Sequence, residues 1–297
     1  MSFSKQVKDE LAEHISRGRH CQIAELAALI SYNGRLLDEE GKLLLQFDTD
    51  NPVTKKKYFT LLGKTTSIKE CQSELRDDEA EYVLNMIKMP REGKNGLQDL
   101  DVTDGLILQQ TCCKRAFLRG AFLAAGSISD PTKGYHFEIV CGSRRQAEQL
   151  RQVMQAFALD AKIVQRKGHD VVYLKEGAQI VDALNVMGAH VALMNLENVR
   201  ILREMRNSVN RKVNCETANI SRTVNAAVRQ VEDIQWIRDK MGLQALPKNL
   251  QEIAQIRLDN PDMPLKDLGT LLNPPIGKSG VNHRLRKISE IARELGG

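Results

Sequence analysis

Between Lys278 and Ile288 the chain carries four cations, Lys278, Arg284, Arg286 and Lys287, and no acidic residue. Ser279, Asn282 and His283 stand among them. Asn and Ser side chains hydrogen-bond to base edges, while Arg and Lys bind guanine edges or phosphates. The chemistry on offer is recognition of a polyanion with readable edges rather than bond making. Val281, Leu285 and Ile288 recur at i, i+4 and i+7, so a helix would turn them inward and leave the polar set outside. An amphipathic helix with a solvated basic face would show the same pattern. A second basic stretch holds Arg200, Arg203, Arg206, Arg211 and Lys212, continues to Arg222 and Arg229, and is interleaved with Asn207, Asn210, Asn214 and Asn219. Arg211, Lys212, Asn219 and Arg222 are its candidate DNA contacts; a solvated helix face explains the stretch equally well.

The elements around the first cluster suit recognition. Pro264 to Leu272 reads as a short helix opened by proline. Asn273-Pro274-Pro275-Ile276-Gly277 is a turn that no helix crosses. Ser279 is then expected to cap the helix that carries the basic residues, over 279–291. A short helix, a tight turn and a second helix with a polar outer face make a helix-turn-helix, whose second helix enters the major groove. Two lookalikes of a phosphate loop, Gly63-Lys64-Thr65 and Gly277-Lys278-Ser279, lack the glycine five residues upstream; those positions hold Tyr58 and Leu272.

Charge placement agrees. Residues 195–297 hold 17 Lys and Arg against 12 Asp and Glu, whereas residues 1–194 hold 26 of each. The whole net charge of +5 therefore sits in the last third, as is expected of a nucleic-acid-binding module; a solvated basic face would give the same excess. No apolar run is long enough to span a membrane, and the start lacks the apolar stretch of a signal peptide. The six cysteines, Cys21, Cys71, Cys112, Cys113, Cys141 and Cys215, show no CxxC spacing. They read as reduced cytoplasmic thiols, with Cys112 and Cys113 as plain helix residues and no metal or cofactor site expected.

Upstream lies an internal repeat. Cys21 to Leu36 matches Cys113 to Ile128 at an offset of 92, with Cys, Ala, Leu and Gly in register. Each copy continues with a hairpin pattern, a helix, a second strand pair and a closing helix, which is αββαββα. In the first copy the expected elements are strands 35–37 and 43–47 about a turn at 38–41, a helix 52–62, strands 66–72 and 81–86, and a weak helix 96–100. In the second they are strands 127–129 and 135–140, a helix 144–158, strands 161–166 and 171–174 about the turn Lys167-Gly168-His169-Asp170, and a helix 178–187. Ser4 is expected to cap a leading helix to Ser16. The small residues Ala24, Ala27, Ala28, Ala116, Gly120, Ala121 and Ala124 would let the first helices of the two copies pack closely. The last third reads as all-helical, with a break at the polar stretch 214–219 and a stop at Gly242.

Leu118-Arg119-Gly120-Ala121-Phe122-Leu123-Ala124-Ala125-Gly126 resembles the LAGLIDADG motif of homing endonucleases. That resemblance implies two facing helices, each ending in an acid that binds a catalytic metal. The acid positions here read Asn33 and Ala125, so it also implies that cleavage is lost. Over nearly its whole length the chain is similar to the WhiA family. The matching stretches are Ser2-Phe3-Ser4 to Lys8-Asp9-Glu10-Leu11, Cys113 to Ser129, Asn210 to Asn219 and, most specifically, Asn273 to Lys287. The family joins a degenerate LAGLIDADG-like domain to a helix-turn-helix domain resembling sigma factor region four. It implies an α+β domain over 1–195 (repeats about 20–105 and 112–190), a linker helix 196–212 and an all-α domain 213–297. It further implies a cytoplasmic, nucleoid-associated regulator of transcription, sporulation, cell division and chromosome segregation, bound to double-stranded promoter DNA and not to a membrane. Other transcription or cell-division proteins would be further partners. The competing expectation is an interaction scaffold for cell division, with DNA binding secondary. A live nuclease would need Asp38 or Asp130, a few residues downstream, to replace the missing acids.

Overall fold

The structure, a computed structural model, describes residues 2–39, 42–68, 72–89, 100 and 102–296. It divides into two compact units, Met1–Glu204 and Met205–Gly297. No helix among the described residues is long and apolar enough to cross a membrane.

The first unit is built on two helices, α2 (Arg19–Asn33) and α5 (Thr111–Ala125), which pack on each other through small side chains. Ala24, Ala27, Ala28, Ala116 and Ala121 are fully buried. A Cβ on Gly120 would lie 2.6 Å from the Glu25 carbonyl oxygen and 2.8 Å from the Ala28 Cβ, so the close approach depends on that glycine. After α2 come β1 (Gly34–Glu39), β2 (Lys42–Phe47), α3 (Pro52–Thr65), β3 (Glu74–Arg76) and α4 (Asp77–Met86). After α5 come β4 (Gly126–Ile128), β5 (Phe137–Cys141), α6 (Arg144–Gln155), β6 (Lys162–Arg166), β7 (His169–Leu174) and α7 (Gly177–Met187). The strands form antiparallel sheets of order β1-β2-β3 and β4-β5-β7-β6. Lys167 and Gly168, both at positive φ, turn β6 into β7 in the two-residue hairpin geometry. The fold is therefore α+β with a duplicated unit, as expected.

One expected strand is a helix instead. Residues 81–86 lie in α4, which opens with Asp77, Asp78 and Glu79 and buries Ala80, Val83 and Leu84. Acids in the first turn favour a helix N-terminus, and the burial follows the helical period rather than the strand period. The expected strand 66–72 is not found at 66–68 or 72; β3 forms at Glu74–Arg76 instead. Residues 69–71, the expected helix over 96–100 apart from residue 100, and part of the 38–41 turn fall outside the described residues. The leading helix, α1 (Phe3–Glu13), is capped by Ser2, not Ser4; the Ser2 hydroxyl accepts from the Lys5 N–H at 3.3 Å. Starting at Phe3 puts that ring in the core beside Val7 and Leu11.

Glu25, Lys57 and Arg119 form a buried charge cluster between α2, α3 and α5. Arg119 donates to both Glu25 oxygens at 3.0 and 3.1 Å, and Lys57 Nζ lies 3.0 Å from Oε1. Arg119 also donates to the Met187 carbonyl and the Ser16 hydroxyl, and Lys57 to the Leu11 and His14 carbonyls. Burial pushes the Lys57 pKa down, and Glu25 opposes that shift.

α8 (His190–Met241) supplies residues to both units. The expected break at 214–219 does not occur. The stretch has no Gly or Pro, and its polar side chains are exposed, so nothing in it withdraws a backbone donor. Thr223 even donates back to the Asn219 carbonyl at 2.9 Å within the helix. Gly242, at φ 78°, ends it.

Candidate nucleic-acid interface

The second unit closes its own small core with α9 (Lys248–Asp259), α10 (Leu265–Thr270), α11 (Lys278–Glu294) and the last part of α8. Ile234 and Ile237 of α8 meet Leu250, Ile253 and Ala254 of α9. Leu268 and Leu272 meet Val281, Leu285, Ile288 and Ala292 of α11. The chain between α10 and α11 turns against Gly269, whose carbonyl accepts from the Ile276 N–H at 3.0 Å. A Cβ at 269 would lie 2.2 Å from the Ile276 oxygen, so only glycine permits this turn. Arg257 holds the connection between α9 and α10 against α8: buried, it donates to Gln230 and to the Met263 carbonyl at 2.7 Å.

With that stripe buried, α11 presents Lys278, Ser279, Asn282, His283, Arg286 and Lys287 to solvent. Five of these, Ser279, Asn282, His283, Arg286 and Lys287, line one concavity of about 410 Å³. Two expectations need correction. Gly277 occupies the cap position and no side chain caps the helix; the cap lies two residues before Ser279, which leaves the Ser279 hydroxyl on the first turn. Arg284 is not on the open face: it is half-buried and donates to the Asn249 carbonyl at 3.4 Å. The uncapped N-terminus, with no acid in its first turn, is a site where backbone N–H groups and the helix dipole favour a phosphate.

Glu290, absent from the expected set, lines the same concavity. Its position, four residues after Arg286, places it on that face by helical period alone. Arg222 lies with Lys266, Lys278 and Asn282 on the wall of a separate cleft of about 760 Å³. Arg211, Lys212 and Asn219 are exposed along α8; no hydrogen bond or ion pair among the described residues joins them to α11. Arg200 pairs with Glu197 and Glu204, and Arg203 donates to the Thr132 carbonyl, so the start of that basic stretch is already engaged.

The other candidate site lies at the C-terminal ends of α2 and α5. Asn33 and Ala125 are the last residues of the two helices, each followed by glycine. Ala125 lines a cavity of about 450 Å³ with Ser31, Tyr32, Cys141, Gln146 and His169, and no carboxylate lines it among the described residues. Asn33 Oδ1 is buried without a hydrogen-bond partner among those residues. Burial pushes the Cys141 thiol up to about 11 and the Tyr32 hydroxyl well above its ordinary value. Asp130, one of the two acids a live nuclease would need, accepts from Thr132 N and Oγ1 at 2.8 and 2.7 Å within its own turn. Those bonds hold its carboxyl below the usual range.

Comparison with known proteins follows the same division. Residues 19–74 match the WhiA N-terminal LAGLIDADG-like domain, residues 114–206 the WhiA LAGLIDADG-like domain, and residues 209–292 the WhiA C-terminal HTH domain. "Probable cell division protein WhiA" from Lachnoclostridium phytofermentans is 48% identical over 316 residues, covering 99% of both chains. The protein of the same name from Alkaliphilus oremlandii is also 48% identical, covering 99% of this chain and 98% of its own. The full-length DUF199/WhiA crystal structure from Thermatoga maritima is 26% identical, with a TM-score of 0.60 and 99% of each chain covered.

Proposed function

This chain belongs to the WhiA family, and on that premise we propose that it is a sequence-specific DNA-binding transcription regulator acting in cell division, chromosome segregation and sporulation. The observation that carries the reading is the outer face of α11: exposed Lys278, Asn282, His283, Arg286 and Lys287 over a closed helix-turn-helix core. α11 lies in the major groove. Ser279, Asn282, His283 and Arg286 contact bases, and Lys278 and Lys287 contact phosphates. Arg211, Lys212, Asn219 and Arg222 add contacts along α8. The boundaries 1–195, 196–212 and 213–297 describe a degenerate nuclease-like domain, a linker helix and the DNA-binding domain, working on promoter DNA in the nucleoid. With Asn33 and Ala125 at the acid positions, the first domain does not cleave DNA: two facing helices without a carboxylate give a hydrolytic metal no charged ligand. Genome-wide immunoprecipitation identifies the promoters, and an anisotropy titration on one of them compares the native chain with Arg286→Ala/Lys287→Ala. Equal affinities at equal salt would remove α11 from the interface; Mg²⁺-dependent cleavage would restore the nuclease reading.

The scaffold reading has one observation behind it. In the second unit α8 exposes Met205, Val209, Val213, Ile220, Val224 and Val228, each by half or more. A Lys278→Ala/Arg286→Ala/Lys287→Ala chain that no longer binds DNA yet still supports division would favour the scaffold.

A further inference from the structure

Cys112 and Cys113 do lie in a helix, but they do not stand alone. His20 and Cys21 are the second and third residues of α2, and Cys112 and Cys113 are the second and third of α5. At the 92-residue offset of the repeat, His20 corresponds to Cys112 and Cys21 to Cys113. The packing of α2 on α5 therefore brings all four to one point. His20 Nδ1 lies 3.1 Å from Cys113 Sγ, 3.4 Å from Cys21 Sγ and 4.0 Å from Cys112 Sγ. The four donor atoms all fall within 4.8 Å of one another.

We propose that His20, Cys21, Cys112 and Cys113 form a tetrahedral zinc site that clamps together the N-terminal ends of α2 and α5. Zn–S bonds of about 2.3 Å and a Zn–N bond of about 2.0 Å in tetrahedral geometry set the donors about 3.5–3.8 Å apart. The observed spacings bracket that value, so small side-chain rotations suffice. Three thiolates and one imidazole are a soft, borderline set that selects zinc over the hard cations. Four protein donors complete the coordination, so the site is structural and leaves no position for a reactive water.

The surroundings fit. Cys21 and Cys113 are buried against Ala24 and Ala116, with Ile107 packed beside them. His20 and Cys112 are exposed and give the ion a way in. Zinc then displaces three thiol protons to solvent, and the imidazole binds through Nδ1 with its proton on Nε2. The resulting charge of one minus faces two helix N-termini, whose dipoles favour it. Cys21 and Cys113 alone would be ordinary small apolar residues; the zinc reading rests on the His20 and Cys112 donor atoms also turning to the same point, all four within 4.8 Å.

The test uses the full-length chain purified under reducing conditions. Metal analysis is expected to find one zinc per chain. Replacement by Co²⁺ is expected to give intense visible d–d bands of a tetrahedral ion together with thiolate-to-cobalt charge transfer. Cys112→Ser, at an exposed position, should abolish both signals with little change in fold. His20→Ala should release zinc readily to a chelator, and His20→Cys should restore tight binding, which separates ligation from packing. Zinc removal should lower the Tm of the native chain and leave that of Cys112→Ser unmoved. Reduced protein that takes up neither Zn²⁺ nor Co²⁺ would overturn the proposal, as would Cys112→Ser retaining the native cobalt spectrum.

Discussion

The face of α11 makes a quantitative demand on salt dependence. Lys278 and Lys287 are exposed and lie on the side of the helix that carries Asn282 and Arg286, whereas Arg284 is half-buried against the Asn249 carbonyl. Each phosphate neutralised by a cation contributes about −0.9 to the slope of log K against log salt. Lys278→Ala/Lys287→Ala should therefore flatten the slope by about 1.8; between 50 and 200 mM salt the native chain should lose about 12-fold more affinity than the variant. Arg284→Ala should leave the slope nearly unchanged. Asn282→Ala removes no charge, so it too should keep the slope while costing roughly 1–3 kcal/mol on the specific site. Glu290 presents its carboxylate in the same concavity, and Glu290→Gln should tighten non-specific binding. The assay is fluorescence anisotropy on a duplex recovered by immunoprecipitation, titrated at four salt concentrations. A native slope in the double variant, or a full unit lost in Arg284→Ala, would refute the placement of these side chains against DNA.

Three further outcomes follow from the first unit. Glu25→Gln leaves Lys57 and Arg119 buried without their counter-charge; breaking such a pair costs about 3–5 kcal/mol, readable as a lower urea midpoint by far-UV circular dichroism. Gly120→Val drives new atoms into the Glu25 carbonyl and Ala28 and should cost about 1–3 kcal/mol by the same measurement. Glu138 is pushed upward by partial burial, but hydrogen bonds from His136 and Ser127 and the Arg166 charge outweigh that and hold it below its ordinary 4.5. Its folded pKa is depressed, so its contribution is complete above 4.5 and disappears as pH falls through the folded value. A pH series of Tm should show the native chain and Glu138→Gln converging in acid.

The order of elements was readable because burial follows period. Val281, Leu285 and Ile288 were found by spacing, and all three are buried. So were the small residues of α2 and α5, because only small side chains let two helices touch along their length. The errors share a physical cause, which is that local signals compete. Three acids after a short strand turned the next apolar run into a helix, although its residues also suit a strand. A polar run suggested a break at 214–219, yet helices end where a donor is lost or a left-handed residue fits, as at Gly242. Ser279 had the right type for a cap, but the chain is already helical from Lys278, with Gly277 extended before it. Arg284 counted as basic surface until the Asn249 carbonyl came within reach.

The cysteines show a different limit. Spacing rules for metal sites assume that ligands lie close in sequence, and neither His20-Cys21 nor Cys112-Cys113 satisfies one alone. Their signal lay in the repeat, which already aligned Cys21 with Cys113. A pseudo-twofold that packs equivalent helices brings equivalent positions together at both ends of the pair. At the C-terminal end those positions are Asn33 and Ala125, where a hydrolytic metal would need two acids. At the N-terminal end they are His20 with Cys112 and Cys21 with Cys113, four donors within 4.8 Å. Losing the acids removes catalysis without loosening the helix pair, because its packing rests on Gly120 and the alanines. Donors at the opposite end can therefore give the same helix pair a structural ion, independent of the acid positions.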